Sequence, residues 1–264
     1  MRRSLSLLSV IALGAATLGA QQLSSYSYEF RTSGDHHSDG ITGTVRVNGA
    51  RARIDVQDRG GDGQYLLVSG DGQVVTVVKP RERTYTIFTA DDFAHIASLG
   101  LRAAGNVLTM KLRDANIESQ KLGAGDAIAG HATQHVKLFE SWTMEVGAMG
   151  FTTPVRQTVE TEYFFDPALK LARNPLTEVL ESAIAVLPST DREFSAKADS
   201  VRHSLLRGTP LRTVITERED NGRSSRTVIE VTHYGAARVD EAELKVPAGY
   251  TRKDGDIGRF KVKL

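Results

Sequence analysis

Apolar and polar residues alternate along much of the chain with the period of two that is typical of β-strands. In the segment ITGTVRVN, residues 41–48, every second residue is apolar or glycine and the residues between are polar. An Asn48-Gly49 dipeptide follows, and ARARIDV then alternates again. Because Asn-Gly tolerates two positive φ angles, this pattern predicts a β-hairpin.

Further strands are predicted at short spacing on both sides of this hairpin. The runs that favour strands are YSYEFRTS, QYLLVS, GQVVTVV, RTYTIF and VRQTVETEYFF, and a last hairpin is predicted to turn at Asn221-Gly222. Gly, Pro, Asp and Asn, which favour turns, lie between many of these runs. We therefore expect an open antiparallel sheet with one apolar face.

Three stretches have helical periodicity instead. The first, 89–104, starts with Thr-x-x-Asp, which resembles a capping box. The second, 174–187, starts at Asn-Pro and ends before Pro188. The third, 190–206, ends before Gly208. These patterns predict an α+β fold, in which amphipathic helices cover the apolar face of the sheet.

The apolar stripes of the first two predicted helices supply the candidate ligand-binding residues. Helices on an apolar sheet face either complete a solid core or roof a cavity, and both arrangements have the same sequence pattern. The sequence leaves these alternatives open. If there is a cavity, its candidate lid and wall residues are Phe93, Ile96, Leu101, Leu180 and Ile184.

The N-terminal segment has the order of a secretory signal peptide. Arg2 and Arg3 precede the apolar run LLSVIALGAA, and small residues follow up to Ala20. The run is shorter than the roughly 20 apolar residues of a membrane-spanning helix, so we expect cleavage after Ala20; an uncleaved anchor is the alternative. The expected mature chain is a single exported domain, residues 21–264, in the periplasm or the medium.

Composition excludes several classes of function. The sequence contains no cysteine, which excludes disulfides, thiolate zinc sites, iron–sulfur clusters, cysteine nucleophiles and a lipidated N-terminal cysteine. It has 33 basic and 32 acidic residues, so its charge gives no reason to expect nucleic acid or an anionic membrane as a partner.

The segment GDHHSDG, residues 34–40, holds the densest set of potential metal ligands. Asp35, His37 and Asp39 match positions one, three and five of a calcium-binding loop in spacing, but position three is not Asp or Asn and position twelve is Arg46 instead of Glu. The segment is predicted to be a hairpin loop between two strands, without a functional metal. Adventitious zinc or copper binding by its two histidines is the alternative.

A second histidine pair, His131 and His135, has the spacing of a zinc protease on a helix. Those proteases carry Glu directly after the first histidine, and this chain has Ala132. The flanking residues alternate as in a strand, on which four residues span roughly 13 Å, so the two rings are not expected to share a metal.

Enzyme signatures are absent from the sequence as motifs. There is no Gly-x-Ser-x-Gly elbow and no phosphate-binding loop. The carboxylate pairs Asp91-Asp92 and Glu160/Glu162 fit a helix start and the polar face of a strand. No catalytic residue and no cofactor are predicted, although a triad assembled in space would leave no motif.

Several segments resemble secreted bacterial families of unknown function, which in turn are similar to the periplasmic lipoprotein carriers of the Lol type. The resemblance rests on GTVRVNGARARIDV, VVKPRERTYTIF, GDAIAGHATQHVKLF and TVIEVTHYGAARVDEAELKVPAGY, with the small motifs Ile128-Ala-Gly130 and Val246-Pro-Ala-Gly-Tyr250. It implies an antiparallel half-barrel whose concave apolar face is capped by helices and holds acyl chains. The helical segment 174–206 departs from that pattern, and no carrier binding residue has a matching motif here.

The expected function is therefore that of an exported, non-catalytic protein that binds a lipid-like or other apolar ligand under its helices. The alternative is a solid-cored envelope protein that acts through contacts with another protein, for which an exposed strand edge would be suitable. A continuous apolar cavity under the helices would distinguish the first function from the second.

Overall fold

The computed structural model describes residues 25–35, 37–57, 63–69, 74–89, 92, 109–148, 151–169, 175 and 192–253. These residues form one open sheet of twelve strands, one α-helix, α1 (Arg192–Leu205), and a 3₁₀ helix, η1 (Glu241–Leu244). The strands are β1 (Ser25–Gly34), β2 (His37–Asn48), β3 (Arg51–Gln57), β4 (Tyr65–Ser69), β5 (Val74–Lys79), β6 (Thr84–Thr89), β7 (Thr109–Ala124), β8 (Gln134–Ala148), β9 (Phe151–Asp166), β10 (Thr209–Glu219), β11 (Ser224–Ala236) and β12 (Thr251–Arg252).

The sheet consists of two meanders joined side by side. Its strand order is β12-β6-β5-β4-β3-β2-β1-β11-β10-β9-β8-β7, and every pair is antiparallel except β6 with β12. Neighbours within each meander are consecutive in sequence, whereas β1 pairs with β11 over a separation of about 200 residues. That long-range pair is the junction on which the single sheet depends.

The predicted fold class, α+β with helices over the concave face of a half-barrel, is wrong. Of the described residues, 67% lie in strands and 10% in helices, so the described protein is nearly all β. Its one α-helix packs at the β7 end of the sheet, and in the described part of the chain no helix covers the rest of the apolar face. Amphipathic periodicity predicts a helix but not how much of a sheet it covers, and this helix of 14 residues is shorter than the twelve-stranded sheet is wide.

The strand and hairpin predictions are confirmed in the described segments. All the alternating runs named above lie in strands β1–β6 and β9–β11. The β2–β3 turn differs in detail, since only Gly49 has a positive φ, of 57°. Asn48 pairs with Arg51 in the ladder, and its Nδ2 donates to the carbonyl oxygen of Val239 at 3.0 Å, which ties the turn to the C-terminal segment.

Strand β7 was not predicted. Along its described part most side chains are exposed, and Ile117 is the one buried apolar residue. Edge strands of this kind carry little period-two hydrophobicity, because a partner lies on one side only and most side chains are in water.

Helix α1 confirms the third helix prediction. Its residues Phe194, Ala198 and Leu205 are buried at helical spacing against Val136, Leu138 and other apolar residues of the sheet. The predicted helices 89–104 and 174–187 lie almost wholly outside the described residues. At the start of the first, the backbone N–H and hydroxyl of Thr89 donate to Asp92 Oδ2 at 2.7 Å, and the Asp92 N–H donates to the Thr89 hydroxyl, as in a capping box.

Two apolar clusters lie on the sheet. Cluster 1 consists of buried residues on β1–β4 together with buried residues from later in the chain. Cluster 2 consists of the buried residues of α1 and of the strands that lie under it. Phe164 belongs to cluster 1 and Phe165 to cluster 2. Because successive side chains of a strand point to opposite faces, β9 is covered on both faces at this point. Cluster 1 contains Tyr26, Tyr28, Phe30, Val45, Val47, Ala52, Ile54, Val68, Ile128, Phe164, Leu169, Leu211, Val214 and Val231, and cluster 2 contains Ile117, Val136, Leu138, Tyr163, Phe165, Phe194, Ala198 and Leu205.

The C-terminal segment lies against β3–β6. Val246 and Tyr250 pack on the buried residues Tyr65, Leu67 and Val78. The resemblance motif Val246–Tyr250 forms a turn in which Gly249 has a φ of 77°. No helix in the described part of the chain is both long and apolar enough to cross a membrane.

Candidate functional site

The five candidate ligand-binding residues, Phe93, Ile96, Leu101, Leu180 and Ile184, lie outside the described residues. Their role stays a prediction. The side chains of His37 and Asp39 also lie outside the described part, so the metal prediction for GDHHSDG is not tested by geometry. The predicted hairpin is confirmed, but the loop is shorter than predicted, since Gly34 ends β1, His37–Gly40 belong to β2, and Gly34 pairs with His37.

The turn of this hairpin is fixed to β11. The Asp35 N–H donates to the Arg226 carbonyl oxygen at 3.0 Å, and Asp35 Oδ2 accepts from the Arg226 N–H at 2.8 Å. Gly34 has a φ of 151°, and a Cβ at this position would overlap the Arg226 carbonyl oxygen. Glycine is therefore required here by a close backbone approach.

One rung of the sheet forms a continuous row of side-chain contacts across five strands. We call it the Arg31–His135 rung: Arg31 on β1 faces Glu230 on β11, which faces Arg212 on β10, then Phe164 on β9 and His135 on β8. Arg31 Nη2 contacts Glu230 at 2.6 Å, and the Arg212 guanidinium lies 5.2 Å from the Phe164 ring centre. The His135 ring stacks on Phe164 at 4.1 Å. The rung thus spans the β1–β11 junction.

Arg212 is the centre of this rung. Besides Glu230, it contacts Asp126 Oδ2 through Nη1 at 2.7 Å. Burial by itself would lower the pKa of Arg212, but hydrogen bonds to Asp126 and Glu230 outweigh it and raise that pKa. Burial would raise the pKa of Glu230, yet hydrogen bonds from Arg212 and Arg31 bring it below its ordinary value. Both shifts favour the charged forms of these two residues.

Two histidine–carboxylate pairs adjoin the rung. His135 Nε2 lies 2.7 Å from Glu162, and His131 Nδ1 lies 2.8 Å from Asp166. His135 belongs to β8, as predicted, whereas His131 lies in the preceding turn, where Ile128 and His131 form an isolated bridge. The resemblance motif 128–130 is this turn, with positive φ at Ala129 and Gly130.

The carboxylates of this region outnumber its arginine and lysine side chains by five to three. The carboxylates are Asp126, Glu160, Glu162, Asp166 and Glu230, and the fixed cations are Arg31, Lys137 and Arg212.

The chemistry available to these pairs is hydrogen bonding and charge compensation. Within the described part of the chain, neither imidazole has a hydroxyl within hydrogen-bond distance, and the described residues contain no group of three or more potential metal ligands. Each imidazole contacts a carboxylate of β9, which ties β9 to β8 and to the turn before β8.

A second polar contact lies on the opposite side of the sheet, inside cluster 2. Glu140 on β8 contacts Arg202 on α1 at 2.6 Å, with side chains 9% and 21% exposed. Sequence reasoning missed both this pair and Arg212. Alternation places Arg212 on the polar side of β10, but no local pattern shows which helix residue meets which strand.

Comparisons with known proteins give a weak structural likeness. No protein-family model matches the chain. No curated protein matches it either. Among solved structures, a LolA superfamily protein from Nitrosomonas europaea is similar over 84% of this chain and 90% of that chain, with 9% sequence identity and a TM-score of 0.31. A likeness at this level supports no conclusion about the fold or the function of this chain.

Proposed function

We propose that the protein is an exported, non-catalytic binding protein for an apolar, acyl-chain-like ligand, and that this ligand lies against the apolar face formed by cluster 1. The signal-like N-terminus supports export after Ala20 to the periplasm or the medium. Phe93, Ile96, Leu101, Leu180 and Ile184 are the proposed ligand contacts.

The observation that carries this proposal is the position of cluster 1 relative to α1. Tyr26, Val45 and Val47 on β1 and β2 have no exposed surface. Helix α1 packs on β7–β9 instead, at the other end of the sheet. A sheet face this apolar must be covered in water. Tyr26, Val45 and Val47 are covered without a ligand, so the proposed ligand lies at the partly buried apolar residues that border cluster 1, Val56, Leu66, Val228 and Tyr234. Aliphatic and aromatic side chains of this kind line the sites that bind apolar ligands.

The non-catalytic part of the proposal is supported by the charged groups. Carboxylates contact His131, His135, Arg202 and Arg212 in the described structure. These groups are therefore occupied in strand and helix contacts.

A titration with a fluorescent fatty acid tests the proposal. Wild-type protein is expected to bind it saturably, and Ile184→Glu is expected to weaken binding, because an unpaired charge is costly in an apolar site. The matched control is Leu122→Glu, which adds the same charge at a β7 side chain that is 40% exposed. Absence of saturable binding by the folded wild type, or equal binding by the two variants, would contradict the proposal.

A further inference from the structure

The two edges of the sheet differ in how they are protected. At one edge, β12 pairs with the first residues of β6, and the Lys253 N–H donates to the Tyr85 carbonyl oxygen at 2.8 Å. At the other edge lies β7, which has 16 residues and pairs with β8 on its inner side. No strand of the described segments pairs with its outer side. An unpaired edge presents a row of free backbone donors and acceptors.

Two bulges delimit the regular part of this edge. The β7–β8 register shifts between Arg113 and Asn116 and again between Lys121 and Gly123. Asp114 and Gly123 have positive φ angles of 52° and 94° at these points. Bulges bend a strand and interrupt pairing. The residues between them, 116–121, keep one register and match the usual length of a strand.

The side chains of this stretch differ between the two faces. Ile117 is paired with Glu140 and is buried in cluster 2, so its face adjoins the apolar layer under α1. Glu118 lies on the opposite face, is exposed, and accepts a hydrogen bond from Asn116 Nδ2 at 2.8 Å. A strand added beside β7 would thus meet an apolar neighbour on one face and a carboxylate on the other.

We propose that the outer edge of residues 116–121 of β7 binds an extended segment of another protein by strand addition. The segment carries an apolar side chain beside Ile117 and a lysine or arginine opposite Glu118. Backbone hydrogen bonds supply the affinity, and the alternating side chains supply the specificity, as in other strand-addition complexes. This docking surface is independent of ligand binding on cluster 1.

A second copy of this chain is a poorer occupant. Antiparallel self-pairing centred on Glu118 places two carboxylates opposite each other, and centring on Ile117 places Arg113 opposite Lys121. Centring on Asn116 places Asp114 opposite Glu118. Directly opposed like charges destabilise a pair of strands. Centring on Ser119 opposes no like charges, but Glu118 then faces Gln120 and meets no cation. Charge complementarity at Glu118 therefore favours a basic segment of a different protein.

A synthetic octapeptide that alternates valine with threonine or lysine tests the proposal with the full chain. We expect saturable binding by isothermal titration, with hydrogen-exchange protection of amides in 116–121. The same peptide N-methylated at alternate residues should not bind, because it lacks the donors that pair with the edge. The peptide with glutamate in place of lysine should bind about fivefold more weakly to the wild type and more tightly than the lysine peptide to Glu118→Lys.

Proline variants at two neighbouring residues distinguish the loss of an outward backbone donor from the loss of the folded structure. Adjacent N–H groups of a strand point to opposite sides, so one of Ser119→Pro and Gln120→Pro removes a bond to β8 and the other removes an outward donor. The variant with the wild-type melting temperature should lose peptide binding. If both variants unfold, the proposal is tested by comparing the lysine and glutamate peptides on the wild type and on Glu118→Lys.

Three results would overturn this proposal. They are undiminished binding of the N-methylated peptide, peptide binding that is insensitive to Glu118→Lys, and no peptide binding at all. A concentration-dependent dimer in sedimentation that is lost on blocking this edge would assign the surface to a second copy instead. Fatty-acid binding is measured separately, so failure here leaves the proposed ligand function untouched.

Discussion

Glu140 on β8 and Arg202 on α1 form an ion pair of 2.6 Å between the helix and the sheet, inside an otherwise apolar cluster. Both side chains are largely buried, and the two charges compensate each other. The pair also fixes which turn of α1 meets β8. It is a polar contact between the described α-helix and the sheet.

Replacing one partner of this pair is expected to lower the free energy of unfolding more than replacing both partners. Glu140→Leu removes one carboxylate partner of the largely buried Arg202 and should lower the free energy of unfolding by about 3 kcal/mol. The double variant Glu140→Leu/Arg202→Met should recover most of that loss. Urea unfolding of the two single variants and the double variant measures the coupling, and additive losses would show that the pair is not energetically linked.

Replacement of Gly34 tests the close approach of β1 to β11. Gly34→Ala combines a positive φ with overlap of its Cβ and the Arg226 carbonyl oxygen. Gly222→Ala is the matched control, because Gly222 has a φ of 84° and no atom near the position of a Cβ. We expect about 1 kcal/mol of destabilisation for the control and clearly more for Gly34→Ala, measured by thermal unfolding.

Equal losses for the two alanine variants would contradict the close approach. The difference between them, and not the loss for Gly34→Ala alone, reports the contact with Arg226.

The pH dependence of stability should contain a contribution from Glu230. The pKa of Glu230 lies below its ordinary value of 4.5 in the folded protein, because Arg212 and Arg31 hydrogen-bond its charged form against the cost of burial. Its stabilising contribution is therefore complete above the unfolded value and is lost as the pH falls through the folded one. Glu230→Gln should lower stability at neutral pH and reduce the fall in stability on acidification. Parallel curves for wild type and variant would contradict this.

The sequence predicted the strands that bury every second residue, and it failed where that pattern is absent. The hairpin of β2 and β3 has alternating burial along its length and was predicted nearly to the residue. Strand β7 lies at one edge of the sheet, most of its described side chains are exposed, and its sequence lacks the alternation of apolar and polar residues that predicts a strand. The predicted class failed for a different reason, since three helical periodicities indicate helices but not how much of a sheet they cover.

The candidate site shows the same limit. Alternation assigned His135 to a strand, but the Arg31–His135 rung depends on the β1–β11 junction, which pairs residues about 200 positions apart. The sequence around Arg31 and the sequence around Glu230 do not indicate that these residues pair. Contacts of this kind are fixed by strand order and register, which a single sequence does not display.

Leu180→Ala distinguishes a ligand cavity from a solid core. A core truncation costs about 2–5 kcal/mol, because it removes packed atoms and leaves a cavity. We expect a smaller loss of unfolding free energy, together with altered fatty-acid binding, since a ligand-lining side chain is incompletely packed in the ligand-free protein. A full core-type loss with unchanged binding would assign Leu180 to the core.

Native mass spectrometry of the protein purified from the envelope of its own cells tests the central claim most directly. The account predicts a polypeptide that begins after Ala20 and carries an additional mass, which dissociates on activation and is identified as an acyl-chain compound. The matched comparison is the Ile184→Glu variant purified in the same way, in which the additional mass should be depleted. A wild-type spectrum that shows the bare folded polypeptide, with no apolar ligand before or after addition of fatty acid, would contradict the account.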